Sequence, residues 1–190
     1  MSAHGKLVII SSPSGGGKNS VINALLRDFS GSTRLVTTTT RSMRPGEADG
    51  VDYYFIARNE FERKLAAGDF LEHNVYAGHY YGTDRHRLEA QLMAHPLVFS
   101  QIEVNGKHQL SRAGVRHLAI FLLPENFDVL RARILARGGL RPEVIERRLA
   151  IAREEIMASI DYNHRIVNRE GHLDETVATI RDLLRQPAAY

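Results

Sequence analysis

The sequence predicts an α/β fold in which a parallel β-sheet is flanked by helices and a smaller α+β section is set into it. Three observations carry this expectation. Apolar or β-branched runs alternate with helix-spaced segments along most of the 190 residues, the rhythm of parallel strands joined by crossover helices. A glycine-rich turn, Ser12-Pro13-Ser14-Gly15-Gly16-Gly17-Lys18, joins the first such run to the first such helix. Between Thr37 and Tyr81 the rhythm breaks into short strands around one helix.

Each element follows from its residues. Residues 7–10 are four apolar side chains and read as a buried strand, and residues 21–26 open an amphipathic helix. Residues 34–40 are β-branched and read as one short strand. A charged loop over 41–50 holds Pro45, Gly46 and Gly50, and 51–56 form the next strand. A helix from about Asn59 stops at Gly68. Residues 70–76 and 79–82 make a hairpin around Ala77-Gly78, and Leu88, Leu92 and Met93 give helical spacing up to Pro96. Residues 97–104 are a largely apolar run ending in polar residues, and 117–123 are the clearest central strand, ended by Pro124. A helix over 126–136, a Gly-Gly loop, a long helix over 142–160, a strand over 164–168 and a closing helix over 173–184 complete the chain.

Composition narrows the function classes. With 43% hydrophobic residues the chain can bury one good core. A net charge of +3 is too small to argue for nucleic acid as a partner. Only four lysines (Lys6, Lys18, Lys64, Lys107) stand among 25 basic residues; the arginines that make up the rest carry planar forks suited to phosphate. Cysteine is absent, which removes disulfides and thiolate metal sites and fits a reducing cytoplasm. No segment has the length of a membrane span, and the nine histidines lack zinc-ligand spacing. These observations fit a cytoplasmic protein, and a monomer or homodimer is the expected state.

The glycine-rich turn carries the first chemistry. Placed between a strand and a helix N-terminus, it turns backbone N–H groups inward and adds the positive end of the helix dipole. Lys18 there can reach the outer phosphates of a nucleotide. The strict pattern wants Gly at Ser12 and Ser or Thr at Asn19, so the loop is an imperfect one. A second loop puts Arg41 and Arg44 three apart near threonine hydroxyls, with Tyr53 and Tyr81 further on; two guanidinium forks of this kind suit a second, doubly charged phosphate.

The residues together resemble a known family. The series Ser12-Pro13-Ser14-Gly15-x-Gly17-Lys18, Thr39-Thr40-Arg41-x-x-Arg44-Pro45-Gly46-Glu47 and Asp49-Gly50-Val51-Asp52-Tyr53-x-Phe55 is similar to that of guanylate kinases. It continues through Glu60-Phe61, Gly68-Asp69-Phe70-Leu71-Glu72, Tyr80-Tyr81-Gly82-Thr83, Arg133-x-x-x-Arg137-Gly138, Glu143-x-Ile145-x-x-Arg148-Leu149 and Ile166-Val167-Asn168, over residues 6–184. The resemblance implies a P-loop NTPase-type core over about 1–36 and 84–190. It also implies an inserted GMP-binding subdomain over about 37–83 and a helical lid over about 133–148.

The activity it implies is transfer of the ATP γ-phosphoryl group to GMP or dGMP with Mg²⁺. Residues 12–20 would hold ATP (Ser12, Pro13, Ser14, Gly15, Gly16, Gly17, Lys18, Asn19, Ser20), with Asn168 near the adenine. Arg41, Arg44, Tyr53 and Tyr81 would hold the GMP phosphate. Glu72 would accept from the guanine N1–H and amine, with Thr37 and Thr83 on the base edge. Lys18, Arg41 and the lid arginines Arg133, Arg137 and Arg148 would steady the transferring charge. Gln101 and Glu103 stand where the family usually has two aspartates. Asn19 and, through water, Glu103 would serve Mg²⁺.

Three departures from the family, at Ser12, Asn19 and Gln101, keep two rivals in play. One is a related kinase with another phosphorylated acceptor, which the retained Thr37, Arg41, Arg44, Tyr53, Glu72 and Tyr81 disfavour. The other is a non-catalytic module that uses the pocket for binding, which the retained Lys18 and lid arginines disfavour. The helix bearing Glu146, Arg147, Arg148, Arg153, Glu154 and Glu155 mixes both signs and reads as mostly a solvated face.

Overall fold

The computed structural model describes residues 5–76, 78–136 and 141–186. Two sheets organise it. The first contains β1 (Lys6–Ser11), β2 (Thr33–Arg34), β7 (Leu97–Ser100), β8 (Leu118–Leu123) and β9 (His164–Val167), in the order β2-β7-β1-β8-β9. Every pairing in it is parallel. The second contains β3 (Thr38–Thr39), β4 (Tyr54–Phe55), β5 (Phe70–Tyr76) and β6 (His79–Asp84), in the order β4-β3-β6-β5.

Both faces of the first sheet are covered, as a parallel sheet requires. Val8 and Ile10 of β1 face α1 (Lys18–Asp28) and α7 (Leu173–Arg185), in a cluster with Val21, Leu25, Phe99, Ile120 and Ile180. Leu7 and Ile9 face the other way, toward Leu88 of α3 (Arg85–Ala94) and Leu110 of α4 (Val104–Arg112). Two further helices, α5 (Phe127–Ala136) and α6 (Pro142–Ala158), pack on each other through Leu130, Ile134, Ile145, Leu149 and Ala152. Asp84 caps α3 by accepting from the Arg87 backbone N–H at 3.2 Å, and Pro142 opens α6 where its missing N–H costs nothing. In the small unit α2 (Arg58–Ala66) drives fully buried Phe61 against Phe70 and Tyr80, with ring centroids 4.1 and 4.9 Å away. Among the described residues no helix is long and apolar enough to cross a membrane.

Three elements differ from the sequence expectation. The run over 34–40 is two strands in different sheets. Leu35 N–H still bonds Phe99 of the first sheet at 2.7 Å, while the Thr37 carbonyl accepts from Tyr54 of the second at 2.9 Å. Gln91 holds the crossing, accepting from Val36 N–H and donating to the Arg34 carbonyl. The strand over 51–56 shrinks to Tyr54–Phe55 because residues 48–53 are spent on turn bonds such as Asp52 N–H to Ala48. The run over 97–104 stops at Ser100, and Val104 begins α4.

Candidate active site

The glycine-rich turn links the end of β1 to the start of α1. Gly17 has φ +88°, a conformation that side-chain-bearing residues avoid, and a Cβ there would stand 2.5 Å from Asn168 Nδ2. That closeness has a purpose. Asn168, 5% exposed, donates from Nδ2 to the Gly16 carbonyl at 2.9 Å and accepts from Thr176 Oγ1 at 3.0 Å, so α7 pins the turn from beneath. Lys18 Nζ donates to the Ser12 carbonyl at 2.6 Å and to Ser12 Oγ at 3.3 Å. Ser12 and Pro13 are buried, Ser14 and Gly15 are half-buried, and Asn19 and Ser20 are exposed on the first turn of α1. Arg133 of α5 lies against the turn, since a Cβ at Gly15 would meet Arg133 Cβ at 3.6 Å. Its guanidinium donates to Glu170 and to the Asn168 carbonyl.

A cleft of about 380 Å³ opens between the two sheets. Eight of the residues expected there line it: Thr37, Arg41, Arg44, Tyr53, Glu72, Tyr81, Gln101 and Glu103. One end gathers the cationic groups. Arg41 lies 5.4 Å from the Tyr53 ring centroid, and Tyr53 meets Tyr81 edge-on at 5.9 Å. The Arg41 fork is already engaged by Glu47, at 3.0 and 2.8 Å. That contact raises the Arg41 pKa and, with the Arg44 backbone N–H, holds the Glu47 carboxyl below its ordinary range. Burial pushes the Tyr53 phenol up, keeping it a hydrogen-bond donor. The Thr39 and Thr40 hydroxyls beside Arg41 are engaged with the Tyr80 backbone.

The other end is a row across three strands. Thr83 stands opposite Glu72 in the β5–β6 ladder, and continuing the β3–β6 register by one residue puts Thr37 opposite Thr83. Thr83, absent from the cleft lining, donates to Glu72 Oε1 at 2.7 Å. Glu72 is 6% exposed, and burial raises its pKa, the Glu103 charge adding to that and the Thr83 hydrogen bonds opposing it. Gly106 lets α4 approach this carboxylate, because a Cβ there would lie 2.9 Å from Glu72 Oε2.

The two regions share a root. Ser11, the last residue of β1, donates to the Ile102 carbonyl in the cleft wall at 2.6 Å and accepts from buried Tyr162 at 2.8 Å. Arg148 and Glu155 lie seven residues apart on one face of α6, and Glu155 is near enough to the turn to feel the Lys18 charge. Arg137 lies outside the described residues.

Glu155 is the exception on the mostly solvated face of α6. It is half-buried and its carboxyl is pushed up to about 7, by burial first and the Glu103 charge second, with Lys18 opposing. A carboxyl raised above its ordinary 4.5 holds its proton longer in the folded chain than in the unfolded one, so its contribution to stability is lost as pH rises from 4.5 through about 7. Glu155→Gln should therefore show a thermal-unfolding midpoint advantage over the parent that grows between about pH 5 and about pH 8. An advantage that stays constant across that range contradicts the assignment.

Sequence reasoning also passed over Arg34, Glu47, Asn74 and Gly106 of the cleft lining. Glu47 was visible inside the Thr39–Glu47 motif, and a glycine just past a strand, as Gly106 is, signals a close backbone approach. Arg34 and Asn74 carried no local signal, since only the packing of one sheet on the other brings them to the cleft.

A parallel sheet with a glycine-rich turn at the carboxyl end of its central strand, beside an arginine-lined cleft under a second sheet, defines a P-loop nucleoside monophosphate kinase fold. Comparison with known proteins agrees. A family profile described as Guanylate kinase matches residues 4–187. A guanylate kinase of Thiobacillus denitrificans is 42% identical over 181 residues, covering 94% of this chain and 87% of that protein. One of Trichormus variabilis is 43% identical over 164 residues, covering 86% and 82%. The crystal structure of guanylate kinase from Anaplasma phagocytophilum superposes with a TM-score of 0.72 at 30% identity, covering 96% of this chain and 86% of that one. The chain belongs to the guanylate kinase family.

Proposed function

We propose that the protein transfers the γ-phosphoryl group of ATP to GMP, giving ADP and GDP, with Mg²⁺. The observation that carries this reading is the cleft itself, which sets Arg41, Arg44, Tyr53 and Tyr81 at one end and the buried Glu72 carboxylate at the other. A nucleotide with a phosphate at one end and two adjacent base donors at the other is the complement of that layout. In the reaction a GMP phosphate oxygen attacks the γ-phosphorus while the bond to the β–γ bridging oxygen breaks, and ADP leaves with that electron pair. Such a transfer asks for positioning and positive charge more than covalent help. Residues 12–20 would cradle the ATP phosphates with Lys18 on the transferring group, and Arg133, Arg137 and Arg148 would close over it. Asn168 would serve ATP by holding the turn in shape. Residues 37–83 would move as the acceptor-binding unit against a core of 1–36 and 84–190, with 133–148 as lid.

The donor set fits a hard cation carried mainly by phosphate and water. Asn19 offers one exposed amide oxygen beside the turn, and the described residues contain no group of three acids or histidines that could hold a metal alone. When bound, Mg²⁺ neutralises phosphate charge. Asn19 and, through water, Glu103 would hold it. A neutral amide on a longer stem than the usual hydroxyl holds it loosely, so Asn19→Ser should lower the Mg²⁺ concentration for half-maximal activity by roughly threefold or more. An unchanged Mg²⁺ titration contradicts the role of Asn19.

The direct test is ADP release from ATP–Mg²⁺ with GMP, dGMP, AMP, CMP or UMP. Turnover with GMP far above that without acceptor is expected. Turnover no faster than ATP hydrolysis alone overturns the kinase reading, and activity confined to other phosphorylated acceptors identifies a changed substrate.

A further inference from the structure

Helix α4 meets β5 along one of its faces. At its cap, Glu103 Oε2 accepts from Asn74 Nδ2 at 3.5 Å. One turn on, a Cβ at Gly106 would stand 2.9 Å from Glu72 Oε2. A further turn on, Gln109 meets the main chain of His73. These three residues recur at the spacing that puts them on one side of a helix, and Leu71 and Leu110 share a buried cluster beside the seam.

The Gln109 contact is the most specific part of that seam. In the order β4-β3-β6-β5, β5 stands at the edge of the second sheet, where alternate N–H and C=O groups face outward from the ladder. His73 N–H donates to Gln109 Oε1 at 3.1 Å, and Gln109 Nε2 donates to the His73 carbonyl at 2.9 Å. The side-chain amide thus takes the place that a further strand's peptide would fill. Its orientation is fixed, because a flipped amide would set donor against donor and acceptor against acceptor. The oxygen holds the rigid peptide plane that joins Glu72 to His73, and the nitrogen holds the plane after it.

Glu72 sits where such a hold matters. The β5–β6 register shifts between Phe70 and Glu72, so the ladder is irregular just before the carboxylate. Irregularities of this kind re-aim a side chain and disrupt the local pairing. Regular pairing resumes with Glu72 opposite Thr83 and His73 opposite Gly82, and Gln109 secures this stretch from its outer side. Gln109 itself lies outside the cleft lining, so any effect on the acceptor passes through Glu72.

We infer that Gln109 is the positioning residue of the base-reading carboxylate: by gripping the His73 main chain it aims Glu72 at the acceptor base and so sharpens the choice of guanine. This rests on the kinase reading of the same cleft.

The test measures kcat/KM for GMP and AMP, the KM of ATP and, by calorimetry, the Kd of GMP in the parent, Gln109→Met, Glu72→Gln and the double variant. Gln109→Met keeps the length of the side chain and removes both hydrogen bonds. It should raise the KM and Kd of GMP about tenfold and lower the GMP:AMP ratio of kcat/KM by about as much, while kcat at saturating GMP and the KM of ATP stay within about twofold. In the Glu72→Gln background the same substitution should move the ratio little, because a residue that acts through another is not additive with it. Gln109→Asn, whose amide stands on a shorter stem, should shift the ratio in the same direction and serves where Gln109→Met does not fold. A merely structural role would lower the thermal midpoint and scale turnover of GMP and AMP alike. A ratio unmoved in a variant that still phosphorylates GMP, or a shift that appears in full on top of Glu72→Gln, overturns the inference. A parent that binds GMP over AMP and loses this preference in Gln109→Met, yet phosphorylates neither, overturns the kinase reading alone.

Discussion

Lys18→Met should lower kcat for phosphoryl transfer by about a thousandfold or more, while the Kd of GMP stays within a few-fold. Removing one preorganised charge stabiliser from a transfer site costs about two to three orders of magnitude, and here it removes a full charge. Two features of the turn sharpen the expectation. Lys18 Nζ rests on the Ser12 carbonyl and hydroxyl, 2.6 and 3.3 Å away, so the ammonium is held at the mouth of the turn. The turn is itself rigid, tied through the Gly16 carbonyl to Asn168 and on to Thr176. Loss of the lysine leaves that scaffold in place, and the acceptor cleft is built from other elements. Stopped-flow or steady-state ADP release measures kcat, and calorimetry with GMP alone measures the second site. A variant that loses GMP affinity but keeps the rate at saturating GMP would place Lys18 in the wrong site.

The same contrast between backbone-built and side-chain-built features decides what the sequence made legible. The parallel sheet followed from alternating runs because Val8 and Ile10 point one way and Leu7 and Ile9 the other, so that β1 is apolar throughout. The split of 34–40 was hidden because Thr37 to Thr39 suit a strand in either sheet, and the crossing is set by the distant Gln91. Helix α4 was hidden because Ile102 and Val104 alternate with Gln101 and Glu103 as in a strand, and Gly106 weakens helix propensity. Burial beside Glu72 is what Gly106 provides in return. At the site, the resemblance to guanylate kinases assigned Thr37, Arg41, Arg44, Tyr53, Glu72 and Tyr81 to one acceptor site, and all six line the cleft. It was silent on partners. That Arg41 would be engaged by Glu47, that Asn168 would lie under the turn, and that Gln109 would grip His73 are long-range contacts or choices among competing hydrogen bonds. None of these leaves a period or a composition in the chain.

Glu72→Gln should lower kcat/KM for GMP by about a hundredfold to ten-thousandfold and bring GMP down toward AMP. A site built to satisfy a substrate's polar groups rejects a mismatched partner by factors of that size. Glu72 offers acceptors only, in a position 6% exposed where water cannot substitute. The glutamine amide replaces one acceptor by a donor that opposes the guanine N–H groups, at nearly unchanged volume. Thr83 can still donate to the remaining oxygen, so the fold should hold and the thermal midpoint should move little. The parent carries the same logic in its pH dependence. Burial and the Glu103 charge raise the Glu72 pKa, so the carboxylate needed for guanine is lost at a higher pH than an ordinary glutamate would lose it. The acid limb of kcat/KM for GMP should accordingly lie above the usual carboxylate range and vanish in Glu72→Gln, whose residual activity has no carboxyl to titrate there. An acid limb that survives the substitution would assign it to another group, and a variant that keeps its preference for GMP over AMP would remove Glu72 from base recognition.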